Sequence, residues 1–310
     1  MTKPNHRIAI LGATSHIAKG LIVGLAAAGH RLTLFARSPE RVRGFLVLAG
    51  ITQQVPVLPI EGFCEGSYDV VINCVGIGDP GKLREKMSSI FRVTEHFDNL
   101  VLDYQGRHPA TLYLNLSSGA AYGQDFYEPV REDSRACFDI NHLGMGDYYG
   151  MAKACSEAKH RALSGRPIVD LRVFGYFSRF IDLETKYLMC EVVTCLKRGE
   201  VFVTGSGNIM RDYVHPDDLV ALVECCLEHP ELNEAFDVYS LKPVAKFEIL
   251  DSFTTRFGLK VRIEGDVAHV APTGNKDNYY SVNRRAARIG YQPKYSSIDS
   301  LLVETEVLLK

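Results

Sequence analysis

The sequence predicts a doubly wound α/β protein, a parallel sheet with helices on both faces and a smaller lobe interleaved towards the C-terminus. Three observations predict it. Short apolar runs alternate with longer amphipathic stretches, the rhythm of strands joined by crossover helices. Residues 68–75 (YDVVINCV) are apolar on both parities, as a strand covered on both faces must be. The 310 residues exceed a typical single domain and suit one large α/β unit with a lobe.

Taken in order, residues 7–11 (RIAIL) read as the first strand and residues 17–28 as its helix. Residues 31–36 form a second strand. Ser38 then caps a helix with Pro39 at its first position, where the missing N–H is not needed. Residues 55–60 and 69–75 are further strands, and residues 82–104 a long helical region. Residues 111–116 are the fifth strand, 148–163 a helix and 167–174 the sixth strand. Beyond that the alternation decays into a helix at 184–197, the strand VFVT, a helix from Pro216, the strand FDVY, another helix and the strand KVRIE.

Composition excludes several classes. Hydrophobic residues make up 46% of the chain, enough for a sizeable core, and the formal net charge of -2 leaves no basic stripe for nucleic acid or an anionic membrane. The 8 cysteines show no CxxC spacing, so zinc and disulfide frameworks lack support and no metal is expected. Reduced thiols in a cytoplasmic protein are the expectation. Residues 20–29 resemble a signal-peptide core, but Lys19 and Thr14-Ser15-His16 interrupt it. No apolar run approaches the ~18 residues of a membrane span.

The first strand runs into Gly12-Ala13-Thr14-Ser15-His16-Ile17-Ala18. A tight turn at Gly12 would aim the N–H groups and positive dipole end of a helix at a pyrophosphate. In the glycine-rich form of such a loop, Ser15 and Ala18 would both be glycine; Ser15 brings a hydroxyl that could donate to phosphate oxygen. A plain strand-turn-helix accounts for the pattern equally well, and His16 reads as a helix-start residue. The second strand ends at Arg37-Ser38, where an acid would select a free ribose 2′-hydroxyl and an arginine suits a 2′-phosphate. That favours NADP(H) over NAD(H); a solvated arginine is the alternative.

Tyr149 and Lys153 lie four apart in a helical pattern and so share a face. A phenol beside an ammonium is a group able to exchange a proton with a carbonyl or alcohol oxygen. A core tyrosine at Tyr148 with Tyr149 as its neighbour would give the same pattern. Upstream, the fifth strand runs into Ser117-Ser118-Gly119-Ala120-Ala121-Tyr122-Gly123.

At this point the sequence resembles the extended short-chain dehydrogenase/reductase family, in its NAD-dependent epimerase/dehydratase branch. That family has a strand ending in Ser-Ser, a Tyr-Gly turn and a YxxxK motif some thirty residues on. Further matches follow in order along nearly the whole chain: Asn73-Cys74-Val75-Gly76, Leu171-Arg172-Val173-Phe174, Arg211-Asp212-Tyr213-Val214-His215 with Asp217-Asp218, and Gly290-Tyr291-Gln292-Pro293. The resemblance implies a Rossmann-type sheet. Residues 1–174 and 211–240 would form the dinucleotide-binding domain, and residues 175–210 and 241–310 the substrate-binding lobe. It implies that Ser118 hydrogen-bonds the reacting oxygen, that Tyr149 is the acid/base, and that Lys153 binds the nicotinamide ribose. Gly12, Thr14, Ser15, His16, Ile17, Arg37, Ser38, Cys74, Val75 and Gly76 would line the cofactor. Ser118, Ala120, Tyr149 and Arg211 would meet the substrate, with Arg211 on its diphosphate; an ion pair of Arg211 with Asp212 or Asp217 is the alternative. A homodimer would form through the helices at 82–104 and around Tyr149.

There are departures. Ser15 and Ala18 replace glycines, and residues 90–94 lack the usual helix asparagine, Asn99 being out of position. Gly119-Ala120 stand where sugar 4,6-dehydratases carry an Asp-Glu pair, which argues against elimination of water. Near Ala271-Pro272-Thr273-Gly274 there is no second arginine for a diphosphate. The leading expectation is an NADP(H)-dependent reductase of a keto group, the 4-keto group of a nucleotide-activated deoxysugar being favoured. The alternatives are a nucleotide-sugar epimerase with bound NAD, a reductase of a small non-sugar carbonyl, and a non-catalytic NADP-binding sensor or scaffold.

Overall fold

The structure, a computed structural model, describes residues 5–76, 87–123, 126–265 and 276–310. Seven parallel strands form the main sheet, in the order β3-β2-β1-β4-β5-β6-β9. They are β1 (Arg7–Leu11), β2 (Arg31–Phe35), β3 (Val57–Leu58), β4 (Val70–Asn73), β5 (Leu112–Ser118), β6 (Ile168–Val173) and β9 (Asn233–Val238). Alternate residues of β1 serve opposite faces, as strand geometry requires. Ile8 and Ile10 pack with Leu21, Leu25 and Leu222 on one side, while Ala9 and Leu11 pack with Phe63, Tyr104 and Tyr113 on the other. The first layer is built on helices α1 (His16–Ala27) and α6 (Pro216–Leu227), the second on α3 (Ile90–Arg107). Helices α2 (Pro39–Leu48) and α4 (Tyr148–Ala162) complete the main layers.

The strand order reverses between β1 and β4. In a doubly wound sheet that reversal opens a crevice at the carboxyl ends of the strands, where ligands bind. Past β6 the chain builds a second core from Phe177, Met189, Val193, Phe202, Phe253 and Leu301. Its helices are α5 (Leu188–Arg198), α7 (Lys246–Phe257) and α8 (Ser297–Leu309). Two small sheets accompany them, one of β7 (Val201–Thr204) with β11 (Lys260–Ile263). The other places β8 (Met210–Arg211) between β10 (Val244–Ala245) and β12 (Asn278–Tyr279).

One expected element differs. Residues 55–60 do not form a full strand: only Val57 and Leu58 pair, with Leu34 and Phe35. Pro56 and Pro59 bracket that pair and can donate nothing to a ladder, and a 3₁₀ turn follows from Ile60 to Glu65. In the long helical region, the described residues show a 3₁₀ turn at Met87–Ser89 and then α3; residues 82–86 lie outside them. Among the described residues, no helix is long and apolar enough to cross a membrane, and no cluster of His, Cys, Asp or Glu could hold a metal.

Candidate active site

At the carboxyl end of β1 the chain turns on Gly12, whose φ is +74°. A Cβ there would sit 2.9 Å from the Cys74 carbonyl carbon, so both the backbone conformation and the packing on β4 call for glycine. Gly12 and Ala13 both donate their N–H to Phe35 O, at 3.0 and 3.1 Å, which locks the turn onto β2. Ser15 caps α1: its Oγ accepts the Ala18 N–H at 3.3 Å, and its own hydrogen stays available to donate outward. Helix geometry leaves the N–H groups at His16 and Ile17 without intrahelical partners. These residues fit a dinucleotide pyrophosphate at the start of α1, with Thr14 exposed at the turn.

The His16 imidazole is turned away from that position. Its Nε2 lies 2.8 Å from Ser178 Oγ and its ring meets Tyr176 edge-on. Burial pulls its pKa down to about 4, so it is neutral at pH 7 and contributes no charge to an anion site. Its share in such a site is its backbone. Arg37, just past β2, is exposed and makes no hydrogen bond or ion pair among the described residues. Ser38 is the N-cap of α2 but its side chain makes no capping bond, so both side chains are uncommitted among the described residues.

On the far side of the crevice β4 ends in a braced corner. Asn73 Nδ2 donates to Tyr113 Oη at 3.1 Å, and Asn73 Oδ1 accepts the Val75 N–H at 3.0 Å. Cys74 is buried and its thiol is pushed up to about 12 by burial, although the Lys153 charge acts the other way. It is an inert wall. Gly76 faces Lys153: a Cβ on it would lie 3.9 Å from Nζ. The Lys153 side chain is buried, and Nζ donates to Leu116 O at 2.7 Å.

Helix α4 reaches this point because Gly150 lets it. A Cβ at Gly150 would stand 2.3 Å from Ala120 O, so the first turn of α4 packs directly on the backbone after β5. That contact carries Tyr149 up to the 3₁₀ turn Gly119–Tyr122, which Ser118 caps. Ser118 Oγ accepts the Ala120 N–H at 3.2 Å and lies 3.1 Å from Tyr279 Oη. The backbone N–H of Ala120 thus serves Ser118 and also acts on Tyr279 Oη. Both Tyr148 and Tyr149 are half-buried and pack with Ile90 and Ala152; Tyr148 also meets Phe91 edge-on. Of the two, Tyr149 is the one near enough to act on the Tyr279 phenol, whose pKa is raised mainly by burial.

Two residues that the sequence did not single out complete the group. Tyr279 pairs in register with Arg211 across β12 and β8. Its ring is held by Phe126 and Phe174, and the Lys276 ammonium lies 4.4 Å from its centroid. Lys276 is only 8% exposed, yet it has no carboxylate partner among the described residues. Burial, then the Arg211 charge, bring its pKa down to about 8. Arg211 makes no ion pair with Asp212 or Asp217. Its Nη1 donates to Met210 O and Lys276 O, each at 2.7 Å, while Asp212 accepts from Ser240 and Ser297. The segment at residues 271–274, searched for a second arginine, lies outside the described residues. Lys276, two residues on, is a cation that an arginine-based motif does not include.

Beneath the group runs a polar brace. Ser117 Oγ donates to Glu157 at 2.5 Å, Arg172 bridges Glu157 and Tyr122, and Tyr122 reaches Asp237 on β9. A cavity of about 300 Å³ opens beside it, lined by residues including Tyr122, Phe126 and Arg131. Another of about 470 Å³, at Arg7, Asp69 and His108, lies at the amino ends of the strands, away from the crevice.

A sheet that reverses at β1/β4, a pyrophosphate-sized turn and a serine-tyrosine-lysine set around one crevice define a nicotinamide-dinucleotide enzyme of the extended short-chain dehydrogenase/reductase type. The chain belongs to the NAD dependent epimerase/dehydratase family, whose model matches residues 8–241. Among curated proteins none matches. The fold is also that of solved structures. A UDP-glucose 4-epimerase from Stenotrophomonas maltophila, with bound NAD and formylated UDP-arabinopyranose, is 17% identical, with TM-score 0.80 over 98% of each chain. A UDP-glucuronic acid 4-epimerase from Bacillus cereus, in complex with UDP-glucuronic acid and NAD, is 14% identical, with TM-score 0.76 over 97% of this chain and 98% of that one. A dTDP-glucose 4,6-dehydratase from Bacillus anthracis, in complex with NAD, is 12% identical, with TM-score 0.78 over 97% and 95%.

Proposed function

We propose that this chain is a nucleotide-sugar epimerase that oxidises a ring hydroxyl to a ketone and reduces it again, keeping its nicotinamide cofactor bound. The observation that carries this reading is the pair of cations, Arg211 and Lys276, beside the Ser118 and Tyr149 hydroxyls with no carboxylate to neutralise them among the described residues. A buried ammonium beside a half-buried guanidinium calls for an anion. A diphosphate linking nucleoside to sugar meets that need and leaves the sugar at the two hydroxyls. The epimerases of the same fold support epimerisation over the ketoreductase favoured by sequence alone.

When bound, the nicotinamide supplies the hydride acceptor and donor. The chain supplies the rest. Tyr149 takes the proton of the reacting hydroxyl and returns it, Ser118 donates a hydrogen bond to the same oxygen, and Lys153 holds the ribose side of the site. Residues 1–174 and 211–240 carry the cofactor, and residues 175–210 and 241–310 hold the sugar nucleotide. With no acid at Gly119 or Ala120, water loss is not part of the reaction. The free cysteines suit a reducing compartment such as the cytoplasm.

One observation favours a second reading. The uncommitted, exposed Arg37 suits a 2′-phosphate, and so an NADPH-dependent reductase of a keto sugar. The test is to identify the dinucleotide released on denaturing the purified protein and then to offer UDP-glucose and UDP-glucuronic acid. Retained NAD and a C4 epimer, with no net cofactor consumption, support the epimerase. Stoichiometric NADPH oxidation with a keto sugar supports the reductase. Failure to bind UDP or any UDP-sugar refutes both.

A further inference from the structure

Ser118 Oγ has a small and countable hydrogen-bond inventory: one hydrogen to donate and two lone pairs to accept with. One lone pair takes the Ala120 N–H at 3.2 Å, and Tyr279 Oη lies 3.1 Å away. Either hydroxyl of that pair could be the donor. Among the described residues, Tyr279 Oη has the Ser118 hydroxyl and the Ala120 backbone N–H, a donor, beside it, and no side-chain acceptor besides Ser118. If Ser118 donated to Tyr279, the phenol hydrogen would have no acceptor among the described residues, in a place deep enough that burial holds the phenol protonated. If Tyr279 donates, the two lone pairs of Oγ are filled by Ala120 and Tyr279, and the Ser118 hydrogen has no partner among the described residues.

We propose that Tyr279 is a positioning residue, which donates its hydroxyl to Ser118 and so directs the Ser118 hydrogen at the oxygen of the reacting carbonyl or alcohol.

The geometry is held from several sides. The Tyr279 ring is clasped edge-on by Phe126, with centroids 4.8 Å apart, and tilted against Phe174 at 5.2 Å. The Lys276 ammonium lies over it at 4.4 Å, and its strand is fixed in register with Arg211. A residue from the C-terminal lobe therefore sets the hydrogen of a residue at the end of β5. Ser118 is ready to act only when the lobe that carries Lys276 and Tyr279 is packed in place. The role needs a neutral phenol, and it needs the ring to stay where it is during turnover instead of vacating the site for the sugar.

The inference rests on the nucleotide-sugar reading, so its test has one arm that needs no substrate. Tyr279→Phe keeps the ring and removes only the hydroxyl. Paired with Ser118→Ala and with the double variant, it makes a complete cycle. With UDP-glucose, Tyr279→Phe should lower kcat by about 10-fold, the worth of one neutral hydrogen bond, and leave KM little changed. Ser118→Ala should lower kcat further, and the double variant no further still, because without Ser118 there is nothing left to position. Losses that multiply in the double variant would mean that Tyr279 acts on substrate independently and would overturn the proposal. So would an unchanged kcat with a lowered KM, the mark of a ring that substrate merely displaces. In the second arm, thermal unfolding of the four proteins should show the two substitutions coupled, each costing less in the presence of the other. Additive losses overturn the contact itself. A wild type inactive on every UDP-sugar would sink the function proposed above, and the unfolding cycle would still decide this inference.

Discussion

The buried imidazole of His160, at the last turn of α4, is the strongest single lever on the stability of the site. Its Nδ1 lies 2.9 Å from Asp170 Oδ1 and its Nε2 2.7 Å from Asp98 Oδ1, with the ring wholly inaccessible. Burial alone would lower its pKa, but the bonds to the two carboxylates outweigh burial and raise it to about 9. In an unfolded chain the same group titrates near ~6.5. Folded pKa above unfolded pKa means that the stabilisation is complete below about pH 6.5 and is lost as pH rises through about 9. Each pH unit in that window is worth about 1.4 kcal/mol, so His160 contributes about 3 kcal/mol at its full extent. Buried Cys74 acts in the same direction, since its thiol is held up at about 12. The measurement is therefore a difference: urea unfolding of the wild type and of His160→Gln at pH values across that window. At neutral pH and below, the variant should be less stable by about 3 kcal/mol, because Asp98 and Asp170 lose the buried imidazolium and keep Lys159 and Arg161 as cations. The gap should narrow as pH rises through 9. Parallel curves would refute the charged imidazole, and equal stability at neutral pH would refute the whole network.

Three further outcomes follow from the same geometry. Tyr149→Phe should lower kcat by ~10²–10⁴-fold while thermal unfolding and dinucleotide affinity stay as in the wild type; a variant that keeps most of its turnover would make Tyr149 structural. Arg37→Ala should weaken NADPH by roughly 10- to 100-fold, the worth of a charge-assisted bond, with NADH barely changed in a fluorescence titration; equal losses for both would place Arg37 outside the cofactor site. Cys155 and Ala158 are exposed on α4, and Phe91 on α3, so this flank is free to pack on a second copy. Light scattering should then give about twice the 34.5 kDa chain mass, and Cys155→Asp should give the monomer. A clean monomer in the wild type, or a dimer that survives the added charge, would move the interface elsewhere.

What could be read from the sequence follows from how far each signal reaches along the chain. Strands β1, β4 and β5 are covered on both faces, so burial writes itself as unbroken apolar runs, and all three lie where the runs do. The spacing of Tyr149 and Lys153 is a property of one helix and needs no tertiary information. Strand β3 failed as a full strand for an equally local reason, the two prolines that bracket it. Lys276 and Tyr279 are different in kind. Tyr279 stands on a two-residue strand, too short for any periodicity, with Lys276 just before it, and their place beside Ser118 depends on a parallel pairing of Asn278 and Tyr279 with Met210 and Arg211, far back in the chain. No neighbour in sequence announces that pairing. The ion-pair alternative for Arg211 shows the converse. Asp212 and Asp217 are its nearest acids along the chain, yet the fold spends Asp212 on Ser240 and Ser297 and sets Asp217 beside His215. Adjacent residues on an extended strand point to opposite faces, so the closest acid in sequence is the one a strand arginine is least able to meet. Among the described residues the guanidinium is left to carbonyls, with Lys276 as a second cation near it, and it is on this pair of cations that the proposed diphosphate site rests.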